Sequence, residues 1–352
     1  MAVDSGRESL RPPRPGSGTT RYEVWRSQYK ADRYLCDAST RDLLDRFRYL
    51  VNLIAEITPD GKMAARPARD ASSLLYIELF QHAATELELR GISANVSTFG
   101  LDRHLPSVKW PRRHDGSGWR RVMHGVEATA VIKYGRLEHL QAMLDGKGVR
   151  VAPASSYGDV SLGSHRSDDE LRREITRSGR GMSVQALREI GGRQFPCGPR
   201  VPLDGEMTQY FDAPDYYVWC ASQVCDPRLF VDFEADACLV IRDVKAFVDR
   251  MAWGIARALL AKPPREMVCS AQPVMYYDPY RMPNDWEMRL DVSMHKPIRY
   301  AYQREWRLVT MLAPVREELE VLWVDPGPMG DIAEIRYVGD LVGDGPRRLL
   351  PA

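Results

Sequence analysis

No stretch of this 352-residue chain approaches the roughly 20 consecutive apolar residues that a membrane-spanning helix needs. Its opening residues, with Arg7, Arg11, Pro12, Pro13 and Arg14, have no apolar core of the signal-peptide kind, so the expectation is a cytoplasmic protein without a membrane partner. Charge of one sign is missing too: 49 Lys and Arg face 48 Asp and Glu, and no global field draws the chain to nucleic acid or lipid. Any electrostatic partner must be met by a local patch. Six cysteines (36, 197, 220, 225, 238 and 269) lie apart with no Cys-x-x-Cys, which excludes a disulfide framework and a zinc ribbon. Seven histidines form no His-Glu-x-x-His, so no metal site is expected. Gly-x-Gly-x-x-Gly, the Walker-type phosphate loop and Gly-x-Ser-x-Gly are all absent, which removes support from hydride transfer, kinase chemistry and serine hydrolysis.

What is present divides the chain into three. Residues 1–20 are rich in Pro, Gly, Ser, Thr and Arg and read as a disordered tail. Residues 21–125 read as a helical N-terminal region: Ser39-Thr-Arg-Asp42 resembles a capping box ahead of Leu43, Phe47, Leu50 and Ile54 at helical spacing. A second helix over Leu74, Ile77, Phe80, Ala84 and Leu87 stops at Gly91, where a left-handed residue belongs. Between residues 101 and 125, Arg103, Lys109, Arg112, Arg113, Arg120 and Arg121 interleave with Trp110 and Trp119, a mixture that suits either nucleic acid or a loop anchored by its tryptophans. Residues 126–352 carry most of the strand signal: strand 128–134, helix 137–144 and strand 149–152, then strands near 216–224, 238–241, 267–276, 305–312, 321–324 and 332–337. Helices are expected from Ser167 through Ile175, from Ser183 to Ile190, and from Val244 to about Ala261. Helices early and strands late make the fold class α+β.

The segment Lys296 to Thr310 holds the most informative pair. Gln303 and Glu305 stand two apart where a strand should begin, and residues i and i+2 of a strand share a face. A carboxylate and an amide then point into one space. A solvated edge strand carrying Arg304, Glu305 and Arg307 fits the same spacing.

Four elements in order resemble the ADP-ribosyltransferase superfamily, in particular DarT-like enzymes and a related uncharacterised bacterial family. They are Val131 to Ala152 with its Lys-Tyr-Gly-Arg, Pro153 to Leu162 followed by Ser167-Asp-Asp-Glu-Leu171, Tyr216-Tyr-Val-Trp-Cys-Ala-Ser-Gln223, and Gln303-Arg-Glu305. The last matches the Gln-x-Glu form of the transferase motif, and the set resembles the Arg-Ser-Glu order of one branch, with Lys133 on the first strand where that branch has arginine. The resemblance implies a split β-sheet core behind the helical extension, and NAD as co-substrate. The acceptor it implies is a macromolecule, protein or nucleic acid, and the biological setting that of a toxin or antiviral defence effector.

It also implies roles. Glu305 stabilises the oxocarbenium that develops as the nicotinamide–ribose bond breaks. Gln303 orients the acceptor, Ser222 braces Glu305 or the ribose, Lys133 or Arg136 holds the diphosphate, and Tyr134 or Tyr302 stacks on nicotinamide. A non-catalytic binding protein on the same fold and an NAD glycohydrolase are the competing expectations.

Overall fold

The structure is a computed structural model that describes residues 20–57, 63–65, 71–92, 126–127, 129–158, 169–180, 182–260, 263–264, 266–281, 290–315 and 318–337. The tail and the basic, tryptophan-containing stretch 101–125 lie outside the described residues.

Of the first three helices, the second and third are the two expected from periodicity and form almost where the spacing puts them; the first was not expected. Helix α1 (Arg21–Ala31) opens with a capping box in which Thr20 and Glu23 satisfy each other's backbone N–H groups, and α2 (Thr40–Ile54) opens on the Ser39 hydroxyl, which accepts from Asp42 N. After the short pair β1 (Ala55–Ile57) and β2 (Met63–Ala65), α3 (Ala71–Leu89) runs to Gly91 at φ +72°. These helices do not stand apart from the strands. Leu43, Phe47, Leu50, Leu79 and Leu87 share one buried core with Ile132, Tyr134, Cys238 and Val240 of the sheet. A fully buried Arg46 fixes the junction, its guanidinium forked on Asp278 at 2.6 and 2.5 Å.

The sheet follows from alternation. In β3 (Val131–Gly135) and β10 (Ala237–Ile241), Ile132, Tyr134, Cys238 and Val240 face the helices above. Val131, Ala237, Leu239 and Ile241 face a second core beneath, packed by α4 (Leu137–Leu144) and α6 (Val244–Ala258). Helix α5 (Pro227–Asp232) precedes β10 and packs Leu229 and Phe230 into the upper core.

The main sheet has the order β11-β14-β9-β3-β10-β16, with β11 (Glu266–Pro273), β14 (Glu305–Ala313), β9 (Tyr217–Ser222) and β16 (Ala333–Tyr337), every pairing antiparallel. Strand β9 decides the architecture. Along one edge it pairs continuously with β14, from Glu305↔Ser222 to Thr310↔Tyr217. Along the other, β4 (Val149–Pro153) takes Tyr217 and Val218 while β3 takes Ser222 alone, so the sheet parts between them. β15 (Leu322–Val324) extends the β4 side. The α+β class expected from the sequence is the one observed.

Three expectations are corrected. Residues 172–178 form strand β5 (Arg172–Ser178) and not a helix, because Arg173 and Ile175 are buried while Arg172 and Glu174 are exposed, the two-residue alternation of a strand. It pairs with β8 (Glu206–Asp212). Residues 183–190 form strand β6 (Ser183–Ile190) rather than a helix. Gly191 and Gly192, at φ +60° and +77°, make the two-residue turn that twists correctly into β7 (Arg193–Pro202). Finally, Gln303 is not on the strand of Glu305: it closes a 3-10 turn over Ile298–Gln303, and Arg304 at φ +43° separates the two. The short parallel pair β12 (Met275–Tyr277) and β13 (His295–Pro297) leads into that turn.

Candidate functional site

Where the sheet parts, a cavity of about 680 Å³ opens, within the range of about 300–1,000 Å³ common for small-molecule sites. β3 and the start of α4 give it Lys133, Tyr134 and Arg136, β4 gives Arg150, β9 gives Cys220 and Ser222, and the turn before β14 gives Gln303. Glu170, Lys296 and Glu305 form its floor. Of the seven residues singled out in the sequence, six line this space. Tyr302 does not: it is packed in the upper core with the Arg228 guanidinium 3.8 Å from its ring centroid, so the face that was to receive nicotinamide is already covered.

Glu305 is buried, 6 % exposed, in an interior strand flanked by β9 and β11, which overturns the solvated-edge reading. Each of its oxygens meets a cation: Oε1 accepts from Arg307 Nε at 2.6 Å, Oε2 from Lys296 Nζ at 2.9 Å. Lys296 also reaches Glu170 Oε1 at 3.0 Å, and Arg307 Nη2 donates to the same oxygen at 2.7 Å. Glu170 Oε2 accepts from Arg173 Nη2 at 2.7 Å. Further donors go to backbone, Arg307 Nη1 to Ser293 O and Arg173 Nε to His295 O among them. Two carboxylates and three cations thus share one network. Burial pushes the Glu305 carboxyl up, but the charges of Arg307 and Lys296 outweigh it and bring it down to about 2. Glu170 is likewise held below the usual carboxylate range by Arg307, Lys296 and Arg173 against burial. Both are ionised at neutral pH.

The backbone around Glu305 is equally fixed. Its N–H donates to the Tyr276 hydroxyl at 2.7 Å. The Ser222 hydroxyl bonds elsewhere than to the carboxylate: it donates to Gln303 O at 2.7 Å and accepts from Val224 N at 3.2 Å, tying the turn that presents Gln303 to the end of β9. The Gln303 amide in turn donates to Tyr302 Oη at 3.3 Å. Lys133 extends from the opposite side of β3 to Ile132, which is the residue paired with Ser222. Its ammonium donates to Cys220 O at 2.7 Å and lies 5.0 Å from the Trp219 ring centroid. Arg136 is the freer of the two proposed phosphate cations, 57 % exposed and 3.9 Å from Asp236. The Tyr134 hydroxyl is committed to the 224–226 loop, donating to Val224 O at 2.7 Å and accepting from Asp226 N at 2.8 Å.

Sequence reasoning missed Glu170, Arg173, Lys296, Arg307 and Arg150. Arg307 was within reach, because the i, i+2 rule applied forward from Glu305 places it on the same face. Glu170 falls in the segment expected to be a helix, and its link to Lys296 and Arg307 spans more than 120 residues, which no local pattern encodes. Among the described residues no cluster of His, Cys, Asp and Glu suits a metal ion, and no helix is long and apolar enough to cross a membrane. No family model, curated protein or solved structure matches the chain.

Proposed function

We propose that the cavity binds NAD as a co-substrate and that the protein transfers ADP-ribose to a macromolecular acceptor. One observation carries the reading: Lys133, Ser222 and Glu305, the residues resembling an Arg-Ser-Glu order, lie on three neighbouring strands around a single cavity, with Gln303 and Arg136 beside them. In this reading the bond from nicotinamide nitrogen to ribose C1′ breaks, its electron pair leaving with nicotinamide, and positive charge develops on the ribose. Glu305, ionised and immobilised, stabilises that charge electrostatically. The acceptor's nucleophile then bonds to C1′ and gives up its proton. Ser222 acts through Gln303, holding its carbonyl so that the amide meets the acceptor. Arg136 and Arg150 at the rim supply guanidinium donors for the diphosphate.

A second reading has its own observation. The cavity floor belongs to a network of three cations and two carboxylates, an excess of one positive charge, and both Glu305 oxygens already hold a cation. Such a floor favours binding of an anionic nucleotide with no turnover. Incubation with NAD labelled in its ADP-ribose moiety separates the readings: label on a macromolecule supports transfer, free ADP-ribose supports hydrolysis, and bound but intact NAD supports the binding protein. Glu305→Gln abolishes turnover if the transferase reading holds, and turnover undiminished in that variant refutes the role given to Glu305.

A further inference from the structure

Strands β6 and β7 form a two-stranded ribbon that, among the described residues, belongs to no larger sheet: they pair only with each other. At about 3.3 Å per residue the eight residues of β6 alone extend about 26 Å. Nearly every position on both strands is exposed, including Leu187, Ile190, Phe195 and Val201. An isolated hairpin of this kind is marginal in water, and large apolar side chains held in solvent on it call for an occupant.

The register sorts its residues onto two faces. Ala186↔Cys197, Arg188↔Phe195 and Ile190↔Arg193 are directly opposite pairs on one face, while Leu187↔Pro196 and Glu189↔Gln194 lie on the other. The only carboxylate between residues 183 and 202 is Glu189, and it is on the second face. The first face therefore carries two guanidiniums, Arg188 and Arg193, around the Phe195 ring, with no acidic residue to neutralise them. Arg200 adds a third cation nearer the root. In a chain whose total charge is +1 this is a local concentration of positive charge. Arg188, Arg193 and Arg200 make no ion pair within the described residues.

We infer that this face of the ribbon is a nucleic-acid-binding surface, with Arg188 and Arg193 on backbone phosphates and Phe195 against a base. Two strands are narrow enough to enter a duplex groove, and an exposed ring between cations suits a splayed base or an opened base step. As an identification of the acceptor class the inference rests on the transferase reading of the cavity; as a binding surface it does not.

The test measures fluorescence anisotropy of a labelled mixed-sequence oligonucleotide, as duplex and as single strand, titrated with the full chain without NAD. Salt is varied between about 50 and 200 mM. The expected result is salt-dependent binding in which Arg188→Gln/Arg193→Gln flattens the log–log salt slope on duplex by about 1.8, the equivalent of two phosphate contacts at about 0.9 each. Phe195→Ser weakens the preferred form by about tenfold, the loss of one base stacked on an aromatic ring. Leu187→Ser and Glu189→Gln, on the opposite face, retain wild-type salt slopes. All five positions are exposed, and an unchanged urea midpoint confirms that the variants fold. A wild-type chain that binds neither form at about 50 mM salt overturns the inference. So do losses as large from the opposite face, or a Phe195→Ser variant that dissociates a dimer in sedimentation while binding is untouched. Oligonucleotide binding without NAD turnover leaves this surface standing and removes the cavity reading; turnover without binding does the reverse.

Discussion

Replacing Glu305 by glutamine disturbs the fold as well as the chemistry, and the size of that disturbance follows from the network. In the native cluster Arg173, Lys296 and Arg307 face Glu170 and Glu305, a balance of +3 and −2. Glu305→Gln leaves three cations on one carboxylate, all buried and Arg307 fully so. Breaking a buried ion pair by removing one partner costs about 3–5 kcal/mol because the other charge stays uncompensated. With a total stability of about 5–15 kcal/mol for a folded domain, that is a large fraction. Lys296→Met by itself also breaks the network, leaving +2 and −2 with Glu305 Oε2 stripped of its cation. The double variant Lys296→Met/Glu305→Gln returns the balance to +2 and −1, the native excess of one, and loses less than the sum of the singles, with a coupling of about 0.5–3 kcal/mol. Urea unfolding followed by tryptophan fluorescence reads this out: at a slope of about 3 kcal/mol per molar, Glu305→Gln lowers the midpoint by about 1 M or more. A midpoint unmoved by Glu305→Gln, or singles whose losses simply add in the double, refutes the network. The double variant also completes the functional test, since it keeps the fold closer to native while still lacking the carboxylate, and on the transferase reading its NAD turnover stays abolished.

Acid titration probes the same carboxylate. With its folded pKa near 2 against an ordinary 4.5, Glu305 contributes about 3 kcal/mol that is present above pH 4.5 and lost as the pH falls from there toward 2. Glu305→Gln flattens the pH dependence of stability across that window. His82 acts in the same direction over a higher range: burial, with Arg281 and Arg46 nearby, lowers it to about 4 from 6.5, so the unfolded chain takes up the proton first and stability falls as pH drops from 6.5 to 4. His82→Gln, followed by thermal unfolding at pH 5 and 7, shrinks that difference. At the junction of helices and sheet, Arg46→Met costs about 3–5 kcal/mol by stranding Asp278, and adding Asp278→Leu recovers most of it. Gly146→Ala severely destabilises the chain, because a Cβ there sits 1.9 Å from the Gly327 carbonyl carbon at a residue with φ +75°; a soluble, wild-type-stable protein would falsify the α4–β4 turn described above.

Periodicity made α2, α3, α4 and the strands of the split sheet legible, because each buries a face whose spacing is written in consecutive residues: Leu43, Phe47 and Leu50 at helical steps, Cys238 and Val240 at strand steps. It failed at β6, where Val184, Leu187 and Ile190 fall at a helical spacing but are all exposed, so they report no core and their period carries no information. It failed at β5 because Ser167-Asp-Asp-Glu170 looks like a cap, whereas Glu170 is held by Arg173, Arg307 and Lys296. At the site, Gln303 and Glu305 reach one cavity for a reason other than the expected one. The 3-10 turn and the left-handed Arg304 aim Gln303 inward, with Ser222 holding its carbonyl. What no local pattern encodes is charge partnership across the chain, and the floor of this cavity consists of such partnerships.

That floor also constrains how the cavity works. Arg307 approaches Glu305 from within the protein and is not among the cavity-lining residues, whereas Lys296 lines the cavity and is shared between Glu170 and Glu305. The two carboxylates are therefore not equivalent. If Lys296 shifts wholly onto Glu170, Glu305 keeps its Arg307 anchor and presents an oxygen whose charge is no longer cancelled, which is the state oxocarbenium stabilisation requires. On the transferase reading, a diphosphate held by Arg136 and Arg150 would bring the negative charge that draws Lys296 away from Glu305, and substrate binding itself would unmask the carboxylate. Lys296→Met then separates the transferase from the binding protein: turnover persists at high NAD with a raised KM if Lys296 serves binding and masking, and vanishes with binding if the cations are all the site has. An arginine at 296 keeps the charge but forks onto both carboxylates at once, and in the unmasking scheme Lys296→Arg lowers kcat while preserving affinity.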